Sequence, residues 1–359
     1  MNDSTSGSVD DSNNSRRIEL KSYNSAAVLT TDTRISLDSG EFLFDMNTRN
    51  SCSRPLSVFI KSMCKSTVFN EFSSFQTIPL IRSRRVTHFY EHPHLNRFIE
   101  VPCYNSTRVK VKHSEGHNYI NASYVDGFRE ASKFIVTQTP MPNTIDQFWL
   151  MVWEQKSPII VALHKLTDDN NNPILPQKSG NTMKHGDIWI ETLHCRLVRN
   201  SYEAAVLKIN HVKETNLSPR KLLVLTFHSW GVKGTPKKPT DFLDLIADMN
   251  YNRNLLREFP ITLTCHSGFG RGCVLAAIDV LCRRLEASAE AGTPFVDVLD
   301  TIVRLRMQRA GACPKSEHFL FVSFSLLEYA VRAKLIPENM VNDINLDRYV
   351  HSIQQIDYE

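Results

Sequence analysis

The sequence predicts a mixed α+β fold, a twisted mixed sheet flanked by helices, and three observations carry that expectation. Two short apolar runs, Phe134 to Thr137 and Pro158 to Leu163, are separated by the helix-like segment Phe148-Trp149-Leu150-Met151-Val152-Trp153, as in a strand–helix–strand unit. Further short β-like runs follow between residues 186 and 227. Late in the chain, Ile261 to Thr264 reads as a buried strand that opens through a glycine-containing turn into a segment where Val274, Ile278, Leu281 and Leu285 share one helix face.

The elements follow in order. Residues 1–54 are rich in Ser, Asn, Asp and Thr with little periodicity and are expected to form a flexible polar tail. One folded domain is expected over 55–335, with a C-terminal tail over 336–359. Leu56, Phe59, Ile60 and Met63 recur at helical spacing, and Phe69, Phe72 and Phe75 extend an aromatic stripe, giving a helical layer ahead of the sheet. After the strand–helix–strand unit, strands are expected at Gly186 to Glu191, Cys195 to Val198, Ala204 to Asn210 and Lys221 to Phe227, then a helix near Thr240 to Asn250. Two late helices are read along Phe295, Val298, Leu299 and Ile302 and along Leu320, Phe324, Leu327 and Val331.

An apolar fraction of 42% in 359 residues allows a sizeable core, and a net charge of +4 gives no case for nucleic-acid binding while suiting anionic ligands. The arginines at 82, 84 and 85 and the lysines at 233, 237 and 238 read as solvated faces. Eight cysteines without C-x-x-C or regular spacing describe neither a disulfide framework nor a zinc site, and fit reduced thiols in the cytoplasm. His92-Pro93-His94 lacks a third ligand at helpful spacing, so no metal or other cofactor is expected. No apolar run approaches the ~18 residues of a membrane span, and the N-terminus lacks the blocks of a signal peptide, so membrane insertion is not expected.

The chemistry concentrates at Cys265-His266-Ser267-Gly268-Phe269-Gly270-Arg271. Unpaired N–H groups at a helix start, and the helix dipole, favour an anion. Gly268 and Gly270 let the backbone turn its amides inward, and Arg271 can grip two phosphate oxygens at once. The same field favours an anionic, nucleophilic sulfur at Cys265. A buried cysteine and a surface arginine would also satisfy C-x5-R, so the spacing alone is weak.

More specific are Asn96-Arg97-Phe98, Arg108-Val109, Asn118-Tyr119-Ile120-Asn121-Ala122-Ser123-Tyr124-Val125-Asp126-Gly127-Phe128, Thr137-Gln138-Thr139-Pro140, Pro142-Asn143-Thr144, Phe148-Trp149 and Trp153-Glu154-Gln155. With the cysteine loop, and in order and spacing, these blocks resemble the tyrosine-specific domains of the protein tyrosine phosphatase family over most of residues 57 to 332. The resemblance implies that fold, with Cys265 as the nucleophile that forms a phosphocysteine, Arg271 as phosphate clamp and residues 266–271 as the phosphate cradle. It also implies that Phe98, in place of a tyrosine, and Glu100, in place of an aspartate, recognise the substrate; as plain residues they read as a core aromatic and a solvated charge.

The departures from the family pattern cluster on the chemical steps. Trp230-Gly231-Val232-Lys233-Gly234-Thr235-Pro236 keeps the register of the acid loop, but Val232 stands where an aspartate should protonate the leaving phenolate. Loss of a general acid typically costs ~10²–10⁴ in rate. Thr264 replaces the histidine before the nucleophile, Gly272 the hydroxyl after the arginine, Pro314 the water-positioning glutamine, and His318 the next glutamine. His266 either favours the thiolate, if protonated, or points into solvent. The resemblance thus implies a pseudophosphatase that binds phosphotyrosine-containing proteins, with a slow phosphatase and a non-catalytic scaffold as alternatives. This divergence also resembles the phosphatase-like proteins of polydnaviruses (bracoviruses), which implies action in the cytoplasm of host cells against immune-cell adhesion or phagocytosis. Oligomeric state is left open by the sequence.

Overall fold

A computed structural model describes residue 44 and residues 53–64, 84–112, 116–231, 234–236, 238–253, 256–337 and 339. The expected stripe of Phe69, Phe72 and Phe75 lies outside the described residues, as do nearly all of the two expected tails.

The described chain begins with a short strand β1 (Arg54–Pro55) and helix α1 (Leu56–Cys64), where Leu56, Phe59, Ile60 and Met63 turn inward as the helical spacing requires. A one-turn helix α2 (Thr87–Glu91) leads to the sheet strands β2 (Arg108–Lys110), β3 (Tyr119–Gly127) and β4 (Glu130–Gln138). Helix α3 (Ile145–Glu154) and strand β5 (Ile159–Ala162) complete the strand–helix–strand unit. Four antiparallel strands follow: β6 (Thr182–His185), β7 (Ile188–Val198), β8 (Tyr202–His211) and β9 (Arg220–Phe227). The last part comprises α4 (Thr240–Arg253), β10 (Ile261–Cys265), α5 (Arg271–Glu290), β11 (Phe295–Val296), α6 (Val298–Gln308) and α7 (Ser316–Arg332).

Among the described residues the main sheet has nine strands in the order β2-β3-β4-β10-β5-β9-β8-β7-β6. β10 lies parallel between β4 and β5, so the latest strand in the sheet occupies the slot that the earlier strand–helix–strand unit leaves open. All five of its residues are buried, and alternation sorts them: Ile261, Leu263 and Cys265 join the cluster packed against α1, α4, α5, α6 and α7. The opposite face of the sheet packs on α3 through Phe148, Trp149, Met151 and Val152. This mixed α+β sheet flanked by helices is the predicted fold class.

Two expected elements differ. Gly186 to Glu191 and Cys195 to Val198 belong to one strand, β7, whose register shifts between Thr192 and His194; that irregularity breaks the alternation and makes one strand read as two. Phe295 belongs not to a helix but to β11, which pairs antiparallel with β1. Ser53 donates to Asp297 (2.6 Å), and Phe44, fully buried, bridges Phe128, so the polar N-terminal segment touches the fold at both points.

Candidate phosphate-binding site

β10 ends at Cys265 and α5 begins at Arg271, so the loop lies where the strand meets the helix start. Gly270 flanks the helix without a side-chain cap, which leaves the first-turn N–H groups of α5 uncapped by any side chain. Gly268 has a φ of +71°, and a Cβ there would fall 2.3 Å from the Gln138 nitrogen, so no other residue fits. Its N–H donates to the Cys265 carbonyl at 3.0 Å, closing the turn.

Three anchors hold this loop from behind. Thr139 N–H donates to the Cys265 carbonyl (2.9 Å) and Cys313 N–H to the Phe269 carbonyl (3.0 Å). The buried Arg309 donates to the Gly268 carbonyl (2.8 Å), Asn121 Oδ1 (2.6 Å) and Ser123 Oγ (3.2 Å). The residue-type reading missed Arg309, although Asn121 and Ser123, two of its acceptors, stand in the most distinctive sequence block. Arg271 donates through Nη1 to the Leu163 carbonyl (2.9 Å) and through Nη2 to the Gly231 carbonyl (2.5 Å), with its guanidinium 5.5 Å from the Trp230 ring centroid. These contacts fix the guanidinium at the end of the loop that begins at Cys265, a residue only 1% exposed.

The recognition segment is tied to the same frame. Asn96 donates to the carbonyls of Phe89 (3.0 Å) and His92 (2.9 Å) and accepts from Tyr119 (2.5 Å) and Asn121 (2.9 Å). Gln138 accepts from Arg97 N–H (3.0 Å) and donates to the Leu95 carbonyl (2.9 Å). The Arg97 guanidinium bonds Asp169 and the Thr139 and Pro140 carbonyls. These contacts carry half-buried Phe98 to the loop, where its ring meets His266 edge-on (5.5 Å, 76°); Glu100 stands exposed two residues on.

The other expected positions fall around the cradle. Val232 and Lys233 lie outside the described residues, but Trp230 Nε1 donates to the Gly234 carbonyl (2.8 Å), closing the acid-loop turn beside Arg271. A Cβ at Gly272 would sit 3.1 Å from Val136 Cγ1 and 3.8 Å from Cys265 Sγ, so this position borders the sulfur. Thr264 is fully buried, and its hydroxyl has no hydrogen-bond partner among the described residues. His318 is buried beneath the site, its ring 6.1 Å from that of Trp230, and burial, then Lys315 and Arg271, push its pKa down to about 3. Pro314 is exposed and its ring offers no donor.

Two histidines flank the cradle. His164, just after β5, meets Thr139 Oγ1, and burial followed by the charge of Arg271 holds it down at about 3. His266 is exposed, and burial, then Arg97, lower its pKa, with Arg271 adding to this and Asp169 opposing it. A protonated His266 supporting the sulfur is therefore disfavoured in this state. His92 and His94 lie 6.4 Å apart, and His92 packs on His117 and Tyr119, an aromatic cluster.

The sequence profile described as protein-tyrosine phosphatase matches residues 92–328. The chain belongs to the protein-tyrosine phosphatase family. It is 30% identical over 296 residues to human receptor-type tyrosine-protein phosphatase C, covering 79% of this chain and 22% of that protein. It is likewise 30% identical over 260 residues to mouse tyrosine-protein phosphatase non-receptor type 9, covering 67% of this chain and 42% of the relative. Against fruit-fly tyrosine-protein phosphatase 69D the identity is 29% over 279 residues, 75% of this chain and 19% of the relative. The chain thus spans between a fifth and two-fifths of the length of these family members. No helix among the described residues is long and apolar enough to cross a membrane.

Proposed function

We propose that this family member holds phosphotyrosine-containing proteins in the Cys265–Arg271 cradle without efficient hydrolysis. One observation carries the reading: the loop is anchored through the carbonyls of Cys265, Gly268 and Phe269, while valine stands at 232, where the family pattern has its proton donor. Binding needs the helix start, Arg271 and an aromatic wall at Phe98, and these are assembled. Turnover also needs a proton for the leaving phenolate and a positioned water, and valine and proline supply neither. Glu100 would orient the peptide backbone from the rim. The chain would work in the cytoplasm, and its divergence around a legible phosphatase domain supports a viral role in host cells, damping immune-cell adhesion or phagocytosis.

A second reading, slow phosphatase activity through a Cys265 phosphocysteine, is supported by Cys265 and Arg271 standing at the two ends of one strand-to-helix loop. The discriminating experiment measures phosphotyrosine-peptide binding and phosphate release by native protein, Cys265→Ser and Arg271→Ala. The proposal expects binding that Arg271→Ala abolishes, with negligible release. Sustained release that Cys265→Ser removes would support the enzyme instead, and binding of partner proteins unaffected by Arg271→Ala would support a scaffold.

A further inference from the structure

His266 is the first residue beyond Cys265, yet the two occupy different environments: the sulfur lies at the buried floor, the imidazole at the exposed rim. The edge-on contact with Phe98 fixes the ring between the cradle and the recognition segment. Charged groups face it from three directions: Arg97 in the recognition segment, Asp169 in the loop after β5, and Arg271 at the start of α5. His164 faces it as well, from the end of β5. Arg97 is paired with Asp169, while Arg271 stands at the start of α5 and His266 is exposed next to Cys265.

We propose that His266 is a positioning residue of the phosphotyrosine site, which takes up a proton as a phosphate dianion seats on the helix start and then helps to hold it against Phe98. The inference rests on the phosphotyrosine-holding reading above. The dianion offsets the positive field of Arg271 and attracts charge onto the nearest imidazole that can still be solvated. His164 does not meet that condition, because burial is its first restraint and a ligand does not remove it. The sign follows from linkage: the bound-state pKa of His266 lies above its free-state value. The added affinity is therefore present in full below the free-state pKa and is lost as pH rises through the bound-state one. A cradle whose grip tightens by protonation is suited to retention rather than release.

The test is calorimetry of a peptide carrying a non-hydrolysable difluorophosphonate in place of phosphate, titrated into native protein in two buffers of different ionisation enthalpy. At about pH 6.5, native protein is expected to take up on the order of half a proton more per bound peptide than His266→Gln. Its affinity is expected to fall about three- to tenfold more than that of the variant between about pH 6 and pH 8. His164→Gln, where it folds, is expected to keep the native proton count. Equal proton counts and parallel pH profiles for native protein and His266→Gln would overturn the role of His266 while leaving phosphotyrosine binding intact. Failure of the native protein to bind the peptide would overturn both.

Discussion

The loop over 265–271 and the segment around Trp230 meet at Arg271 and are built differently. Residues 265–271 are held by backbone donors from Thr139 and Cys313, by the buried Arg309 and by a glycine that nothing else can replace. In the segment that starts at Trp230, the Trp230 side chain packs on Phe242 and Phe321 and donates to the Gly234 carbonyl, and Gly231 accepts one bond from Arg271. In the first loop the residues that give shape are also the ones proposed to bind the anion. In the second, the contacts among the described residues run through Trp230, Gly231 and Gly234, while the proton donor of the family pattern falls at a different position, 232, where this chain has valine. A cradle can thus stay whole while the proton donor is absent.

The comparison breaks most sharply at Gly268. Gly268→Ala places a Cβ against the Gln138 backbone at positive φ, and is expected to cost about 3–5 kcal/mol, read by denaturant unfolding. Arg271→Ala is expected to leave the fold intact and weaken phosphotyrosine-peptide binding by about 10²–10³-fold, measured by fluorescence anisotropy. Val232→Asp probes the other half. It is expected to speed a single burst of dephosphorylation by about 10–10²-fold without sustained turnover, because Pro314 still cannot position water; quench-flow separates the two phases. Addition of Pro314→Gln to that variant should convert the burst into turnover. Thr264→Val is the smallest effect: removal of a buried, unpartnered hydroxyl should raise stability by up to about 1 kcal/mol and leave binding unchanged.

The phosphate loop was legible because its signal is local: strand, cysteine, glycines, arginine and helix are contiguous, and each residue type carries its own physical reason. The frame behind it was less so. β3 holds Asn121, Ser123 and Asp126, all buried, and these polar residues serve as anchors for Arg309, Gln308 and Ser132. The insertion of β10 between β4 and β5 is a long-range pairing that no window of sequence contains. Cys195 to Val198 read as a separate strand because an irregularity shifts the alternation in the middle of β7. The gaps at Val232, Gly272 and Pro314 were visible only through the family pattern. For Gly272 the structure adds the reason that a side chain there matters, its closeness to Cys265 Sγ.

The cradle is proposed to hold what it does not hydrolyse. Native protein mixed with an equimolar phosphotyrosine peptide, followed at once for bound peptide and released phosphate, tests it most directly. The account predicts a stable complex that retains its phosphate, and that Arg271→Ala fails to form. Stoichiometric or greater phosphate release on the timescale of binding, lost in Cys265→Ser, would contradict it.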